Sequence, residues 1–161
     1  MKILIVLFLF FGIHISDNDN LSDGSQVPPT NAKVIEYINS VKGKKVDRGE
    51  CWDLANGALT YALAKWESPY HFGKPIDYKT EKIFPGDIIH IQNVTMESVS
   101  GNSITRWKMV EHTAILFELK EAHKVMIAEQ NVNGVRKVQI NEWNLDDVKS
   151  GKMQFFRPEA N

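Results

Sequence analysis

The sequence predicts an α+β fold in which N-terminal helices pack on an antiparallel β-sheet. Apolar residues recur at helical spacing only before Trp66, and alternating or densely β-branched runs take over from Ile88. Those later runs follow one another through short turns containing Gly, Asn or charged residues, with no long helix between them, so antiparallel neighbours are expected.

At 161 residues the chain suits one domain with a genuine core. Its 19 Lys and Arg nearly balance 20 Asp and Glu, for a formal net charge of −1, so no general attraction to nucleic acid or an anionic membrane is implied. Any partner has to be argued from a site.

Residues 1–16 combine Lys2 with the apolar run ILIVLFLFFGI, which has the length and flanks of a secretory signal peptide and is short for a bilayer span. Its cleavage would leave no stable membrane span and a secreted or periplasmic protein. Residues 17–30, DNDNLSDGSQVPPT, are polar, acidic and Pro-ended, as a flexible leader is. A single domain is expected over residues 31–158.

Within that domain Val34, Ile35, Ile38 and Val41 mark an amphipathic helix, with Asn31 as its N-cap and Gly43 as its stop. Lys44 to Glu50 is the loop that delivers Cys51 to a second helix, running to about Trp66. Gly57 costs that helix about 1 kcal/mol against Ala, which points to a close neighbour such as a sheet. Glu67 to Phe84 contains Pro69, Gly73 and Pro75 and reads as an irregular crossover. After the Pro85-Gly86-Asp87 turn, IIHIQNV is a strand, whereas Met96 to Glu111 fits either a hairpin around Gly101-Asn102 or an ordered loop. HTAILFEL, VMIAEQN and VRKVQI then form a meander, NLDDVKS suits one or two helical turns, and MQFFRP is a closing strand ended by Pro158.

The stretch Arg48 to Ala64 holds the only cysteine. No internal disulfide can form, so the domain must stand on its core. Cys51 opens a helix, where backbone N–H groups without intrahelical acceptors favour thiolate over thiol. Glu50 and Asp53 lie close by and oppose that ionisation. A nucleophilic thiol therefore needs an imidazole to take its proton and a polar group to hold the ring.

Five histidines are available. His14 lies in the apolar start, His71 in the crossover and His123 in a turn, while His90 sits between Ile89 and Ile91 on the alternate face of a strand. His112, directly after Glu111 at the start of a strand, is the best-placed base. If VMIAEQN returns antiparallel to HTAILFEL, Glu129-Gln130-Asn131 comes back beside it. Alternation puts Glu129 and Asn131 on one face and Gln130 on the other, so either of the first two can accept from the ring. No H-E-x-x-H or clustered Cys/His spacing calls for a metal, and no cofactor is implied.

The order of a Cys at a helix start, Gly86-Asp87 before a strand, a His opening the next strand and Glu-x-Asn closing its partner resembles the CHAP and NlpC/P60 branch of papain-like cysteine peptidases and amidases. The resemblance covers about Lys44 to Phe156. It implies a papain-like fold with Cys51 as nucleophile, His112 as base, and Glu129 with Asn131 as the orienting pair. It also implies a monomeric thiol hydrolase that cleaves amide bonds in a peptide or peptidoglycan-like substrate, with the Cys51 N–H in the oxyanion hole. Acyl transfer by the same dyad is one alternative. A non-catalytic binding module is another, motivated by the carboxylates flanking the sulfur.

Overall fold

The computed structural model describes residues 26–67, 70–121 and 123–161. The apolar start and nearly all of the expected leader lie outside the described residues. Helix α1 spans Pro29–Val41 and α2 spans Cys51–Tyr61. Strands follow at Lys74–Ile76 (β1), Ile88–Ser100 (β2), Ser103–Leu119 (β3), Lys124–Glu129 (β4), Gln139–Asn144 (β5) and Val148–Arg157 (β6), with one 3-10 turn at Leu145–Asp147. They form a six-stranded sheet in the order β1-β6-β2-β3-β4-β5, with every pair antiparallel. The α+β layout is thus sheet-dominated.

Both faces of the sheet are buried. On one, Ile88, Ile115, Ala128 and Phe156 pack under Val34 and Ile38 of α1 and Leu54, Ala55, Ala58 and Leu59 of α2. On the other, Ile89, Ile91, Met96, Leu116, Ile127, Trp143 and Phe155 form a second cluster among themselves. Alternation along β2 and β3 produces this division directly, because neighbours such as Ile88 and Ile89 point to opposite faces. Each fully buried Ile, Leu or Phe contributes about 1.5–3 kcal/mol, so the two clusters carry most of the folding drive.

The helices differ from their sequence expectation at both ends. Asn31 is not an N-cap: α1 begins two residues earlier, where Pro29 supplies a helical φ and needs no N–H partner. Asn31 is instead fully buried inside α1, and its amide donates to Pro85 O (3.0 Å) and Asp87 Oδ1 (2.8 Å). Helix α2 stops at Tyr61 rather than near Trp66. Leu63 takes φ +54°, and the following backbone pairs with the chain terminus through Lys65 N–H to Glu159 O (2.8 Å) and Asn161 N–H to Leu63 O (3.1 Å). Tertiary pairing overrides helix propensity there. The neighbour that explains Gly57 is a helix and not a sheet, since a Cβ on Gly57 would stand 2.3 Å from the Tyr37 hydroxyl of α1.

The strands are longer than their alternating cores suggest. Met96 to Glu111 is a hairpin, with Ser100 paired to Ser103 across the Gly101-Asn102 turn. His112 consequently lies inside β3 and not at its start. The crossover contains β1, a three-residue edge strand that tolerates Pro75 because an edge position can spare an N–H. Val135 to Val138 do not extend the meander. Val138 instead exchanges backbone hydrogen bonds with the loop after α1, donating to Lys44 O (2.9 Å) and accepting from Gly43 N–H (3.0 Å). Of NLDDVKS, only Leu145–Asp147 turn, and Val148 already starts β6.

The Gly86-Asp87 pair anchors the start of β2. Gly86 has φ +90°, and a Cβ there would meet Asn31 O at 2.5 Å. Asp87 is fully buried and accepts from Asn31, from Phe84 N–H (2.8 Å) and from the Arg157 guanidinium (3.0 and 3.2 Å), joining α1, β2 and β6.

Candidate active site

Cys51 is the first residue of α2, and the loop before it is held in place by unusually many partners. Gly49 takes φ +89° and passes so close to the 131–138 loop that a Cβ would stand 2.9 Å from Arg136 Cβ. At the helix start Asp53 accepts from Glu50 N–H (3.0 Å), satisfying a free amide at the end that carries positive partial charge. The side chain of Gln130, at the end of β4, completes the clamp. Its oxygen accepts from Val46 N–H (3.3 Å), and its nitrogen donates to Val46 O (3.2 Å) and Glu50 O (2.6 Å).

The carboxylates that flank the sulfur are already engaged. Asp53 is buried and ion-paired with Arg48 (2.7 Å). Burial pushes its carboxyl up, but the Arg48 guanidinium and backbone donors hold it below the usual carboxylate value. Glu50 accepts from Arg136 (2.7 Å) and from the Asn131 amide (2.6 Å). Neither charge is left free to oppose a thiolate.

His112 reaches the sulfur from β3. One ring nitrogen, Nε2, is 2.8 Å from Glu129 Oε2, and both residues are buried. That leaves Nδ1 as the ring nitrogen free to face Cys51, whose sulfur is close enough to raise the pKa of the ring. Backbone N–H groups of Thr113 and Trp52 also reach the sulfur. Burial pushes the Cys51 thiol up, yet the hydrogen bond and positive charge of His112, with those two N–H groups, outweigh it and hold the pKa below the ordinary 9.0. Burial likewise pushes His112 down, and its hydrogen bonds to Cys51 and Glu129, with their negative charges, raise it to about 9. Both shifts run in the direction of a thiolate–imidazolium pair.

Of the two groups expected behind the ring, Glu129 reaches it and Asn131 does not. Ile115 pairs with Ala128, so continuing that register would set Asn131 opposite His112. The strand ends at Glu129, however, and Asn131 takes φ +63°, which turns its amide toward Glu50. Glu129 sits diagonally across from His112 on the same face, within reach for a side chain of its length. Asn141 of β5, which the sequence reading did not single out, donates its amide to Glu129 Oε1 (2.8 Å). The clamp by Gln130 was also missed. Alternation had aimed that residue away from His112, and the face it was aimed at is the one that carries the Cys51 loop.

The remaining described histidines stand apart. His123 is exposed and paired with Asp146 (2.9 Å), and His71 is an exposed crossover residue. His90 is buried with neither ring nitrogen bonded and is stacked on Tyr70 at 4.1 Å between centroids. Burial, with a small effect from the Lys152 charge, lowers its pKa below 6.5. Beside the imidazole and carboxylate opens a groove of about 640 Å³, walled by Trp107, Met109, Val132, Val135 and Trp143. On the helix side Trp52 stacks on Phe72 (5.3 Å) and meets Trp66 edge-on (5.1 Å).

Comparison with known families decides the class. The AIM3/BBC1 cysteine proteinase-fold domain matches residues 18–161. The chain belongs to that family. What is established is therefore a cysteine proteinase fold of the AIM3/BBC1 kind, not specifically the CHAP or NlpC/P60 branch. A curated relative, "Altered inheritance of mitochondria protein 3" of the yeast Debaryomyces hansenii, is 29% identical over 143 residues, covering 78% of this chain. The chain spans 15% of that relative's length. Two solved structures are also similar: "The crystal structure of Ly7917" (TM-score 0.49, 14% identity, 78% of this chain and 62% of that one) and "The crystal structure of Ly7917 with the hydrolyzing product of MDP" (0.48, 16%, 80% and 62%). The yeast relative corrects the localisation expected from the apolar start. A protein named for the inheritance of an organelle inside the cell conflicts with a secreted or periplasmic assignment for this AIM3/BBC1 domain.

Proposed function

We propose that this AIM3/BBC1 domain is a thiol hydrolase of amide bonds, with Cys51 as nucleophile, His112 as general acid and base, and Glu129 as the group that fixes the ring. The observation that carries the reading is the chain of contacts Cys51–His112–Glu129, in which burial opposes charge at both partners and charge wins. The Cys51 thiolate attacks the amide carbonyl carbon, a C–S bond forms, and the carbonyl oxygen takes the negative charge beside the Cys51 N–H. Collapse breaks the C–N bond as the amine leaves with a proton from the His112 imidazolium. Water then gives one proton to the neutral ring as its oxygen attacks the thioester, the C–S bond breaks, and a carboxylic acid leaves and loses its proton to solvent, restoring the thiolate–imidazolium pair.

Asn131 acts one step removed in this scheme, holding Glu50 away from the sulfur. The groove beside His112 suits an extended chain with a bulky apolar side chain on Trp107 and Val135. A single domain acting on a peptide substrate, with no nucleic acid or membrane partner, is the arrangement that fits. A yeast relative makes a protein amide a better substrate than peptidoglycan. Acyl transfer uses the same thioester with an amine in place of water.

The test is a digest of a proteome-derived peptide library by the wild-type protein and by Cys51→Ala, read by mass spectrometry for new termini. Cleavages present with the first and absent with the second are expected. Identical maps would overturn the reading. A second reading, a binding module on the same scaffold, is favoured by the yeast relative's name, which states no enzymatic activity. Identical maps support it.

A further inference from the structure

We infer that Asn141 is a positioning residue for the dyad, acting on the thiol through two intervening side chains. The inference rests on the proposed Cys51–His112–Glu129 reading. Glu129 is 2% exposed and uses its two oxygens separately: Oε2 faces His112 Nε2 at 2.8 Å, and Oε1 accepts from Asn141 Nδ2 at 2.8 Å. The contact is built into the sheet. Strand β5 pairs with β4 so that Gln139 lies opposite Glu129 and Asn141 opposite Ile127. Gln139 and Asn141 thus share the face of Glu129, with Asn141 diagonal to it, within side-chain reach. This is the end of the groove that His112 and Glu129 also line.

The chemistry follows from the donor. A carboxylate taken out of water favours its protonated form unless hydrogen-bond donors hold the anion. Asn141 supplies a neutral donor that does so without competing for the ring, and it fixes the carboxylate plane so that Oε2 stays aligned with Nε2. Take that donor away and the carboxylate is free to rotate off Nε2. A carboxylate that no longer faces the ring holds the imidazolium less well, and without the imidazolium the thiolate of Cys51 loses its main counter-charge. Asn141→Asp has nearly the same shape but offers an acceptor where a donor is needed, and it places two carboxyl groups together so that one must hold a proton.

The experiment is the pH dependence of Cys51 alkylation by iodoacetamide, followed by intact mass in the full chain, for wild type, His112→Ala, Asn141→Asp and the uncharged Asn141→Leu. Thermal melts confirm which variants fold. Both Asn141 variants are expected to move the acid limb upward by about one pH unit, slowing labelling about tenfold on the acid side. They leave the rate unchanged at high pH, where any thiol is ionised. A side chain that only fills space would not move that limb. A folded Asn141 variant whose profile overlays the wild type overturns the inference, provided His112→Ala shifts the profile. If His112→Ala also overlays the wild type, the dyad reading itself fails, and the inference fails with it.

Discussion

At the sulfur, burial and charge act in opposite directions, and the predictions at residue scale follow from which prevails. Activity should follow a bell-shaped pH curve. It rises as Cys51 ionises below its ordinary 9.0 and falls as His112 loses its proton near pH 9. A kcat/KM profile checks this, and one that climbs without an alkaline limb contradicts it. The same shifts fix the dyad's effect on stability. His112, raised in the fold, contributes fully below its ordinary 6.5 and loses that contribution as pH rises through about 9. Cys51, lowered in the fold, contributes above 9.0 and loses it as pH falls through its depressed value. Between about pH 6.5 and 9 the contribution of His112 falls with rising pH while that of Cys51 grows toward its ordinary 9.0, so the two slopes oppose each other. Cys51→Ala should abolish cleavage while costing less than about 1–2 kcal/mol, because the side chain is small and only half-buried. Chemical denaturation and the peptide digest together test it.

Among elements, the end of β4 carries the most consequence, since consecutive residues serve the two halves of the site. Glu129 supports His112 on one face, and Gln130 holds the Cys51 loop on the other. Gln130→Leu leaves the Val46 N–H without its partner and takes one of two donors from each of the Val46 and Glu50 carbonyls, at a cost of about 1–3 kcal/mol. It should also slow Cys51 labelling, as the loop drifts from the ring. Unchanged labelling in a folded Gln130→Leu protein would sink this role. Asp87→Ala, by contrast, removes the acceptor for Arg157, Asn31 and Phe84 N–H and should cost about 3–5 kcal/mol in urea unfolding. The labelling profile of its folded fraction should not change. Period-two alternation made the Glu129 face legible in the sequence. It could not show that the strand stops at Glu129, which is why Asn131 was placed behind the ring instead of against Glu50. Asn141 was invisible because it lies on a strand whose start was read four residues too early, at Val135, and whose end was read at Ile140.

For the whole molecule, the order of helices then strands was legible because 3.6- and 2-residue periods separate cleanly along this chain. The end of α2 was not. Residues near Leu63 obey helical spacing locally, yet they are claimed by the chain terminus almost a hundred positions away. Assembly of the site is likewise a property of the entire fold, since its thiol stands on α2, its imidazole on β3, its carboxylate on β4 and that carboxylate's donor on β5. Loss of the site on unfolding should coincide with loss of the sheet, checked by following Cys51 labelling and circular dichroism through one denaturant titration.

The most direct measurement compares the rate of Cys51 alkylation near neutral pH in the wild type and in His112→Ala, with the fold of each confirmed. A wild-type thiol that reacts faster than a free cysteine, and slows at least about tenfold when the imidazole is removed, is the result expected for a thiolate held by His112. Equal rates in the two proteins would contradict the account.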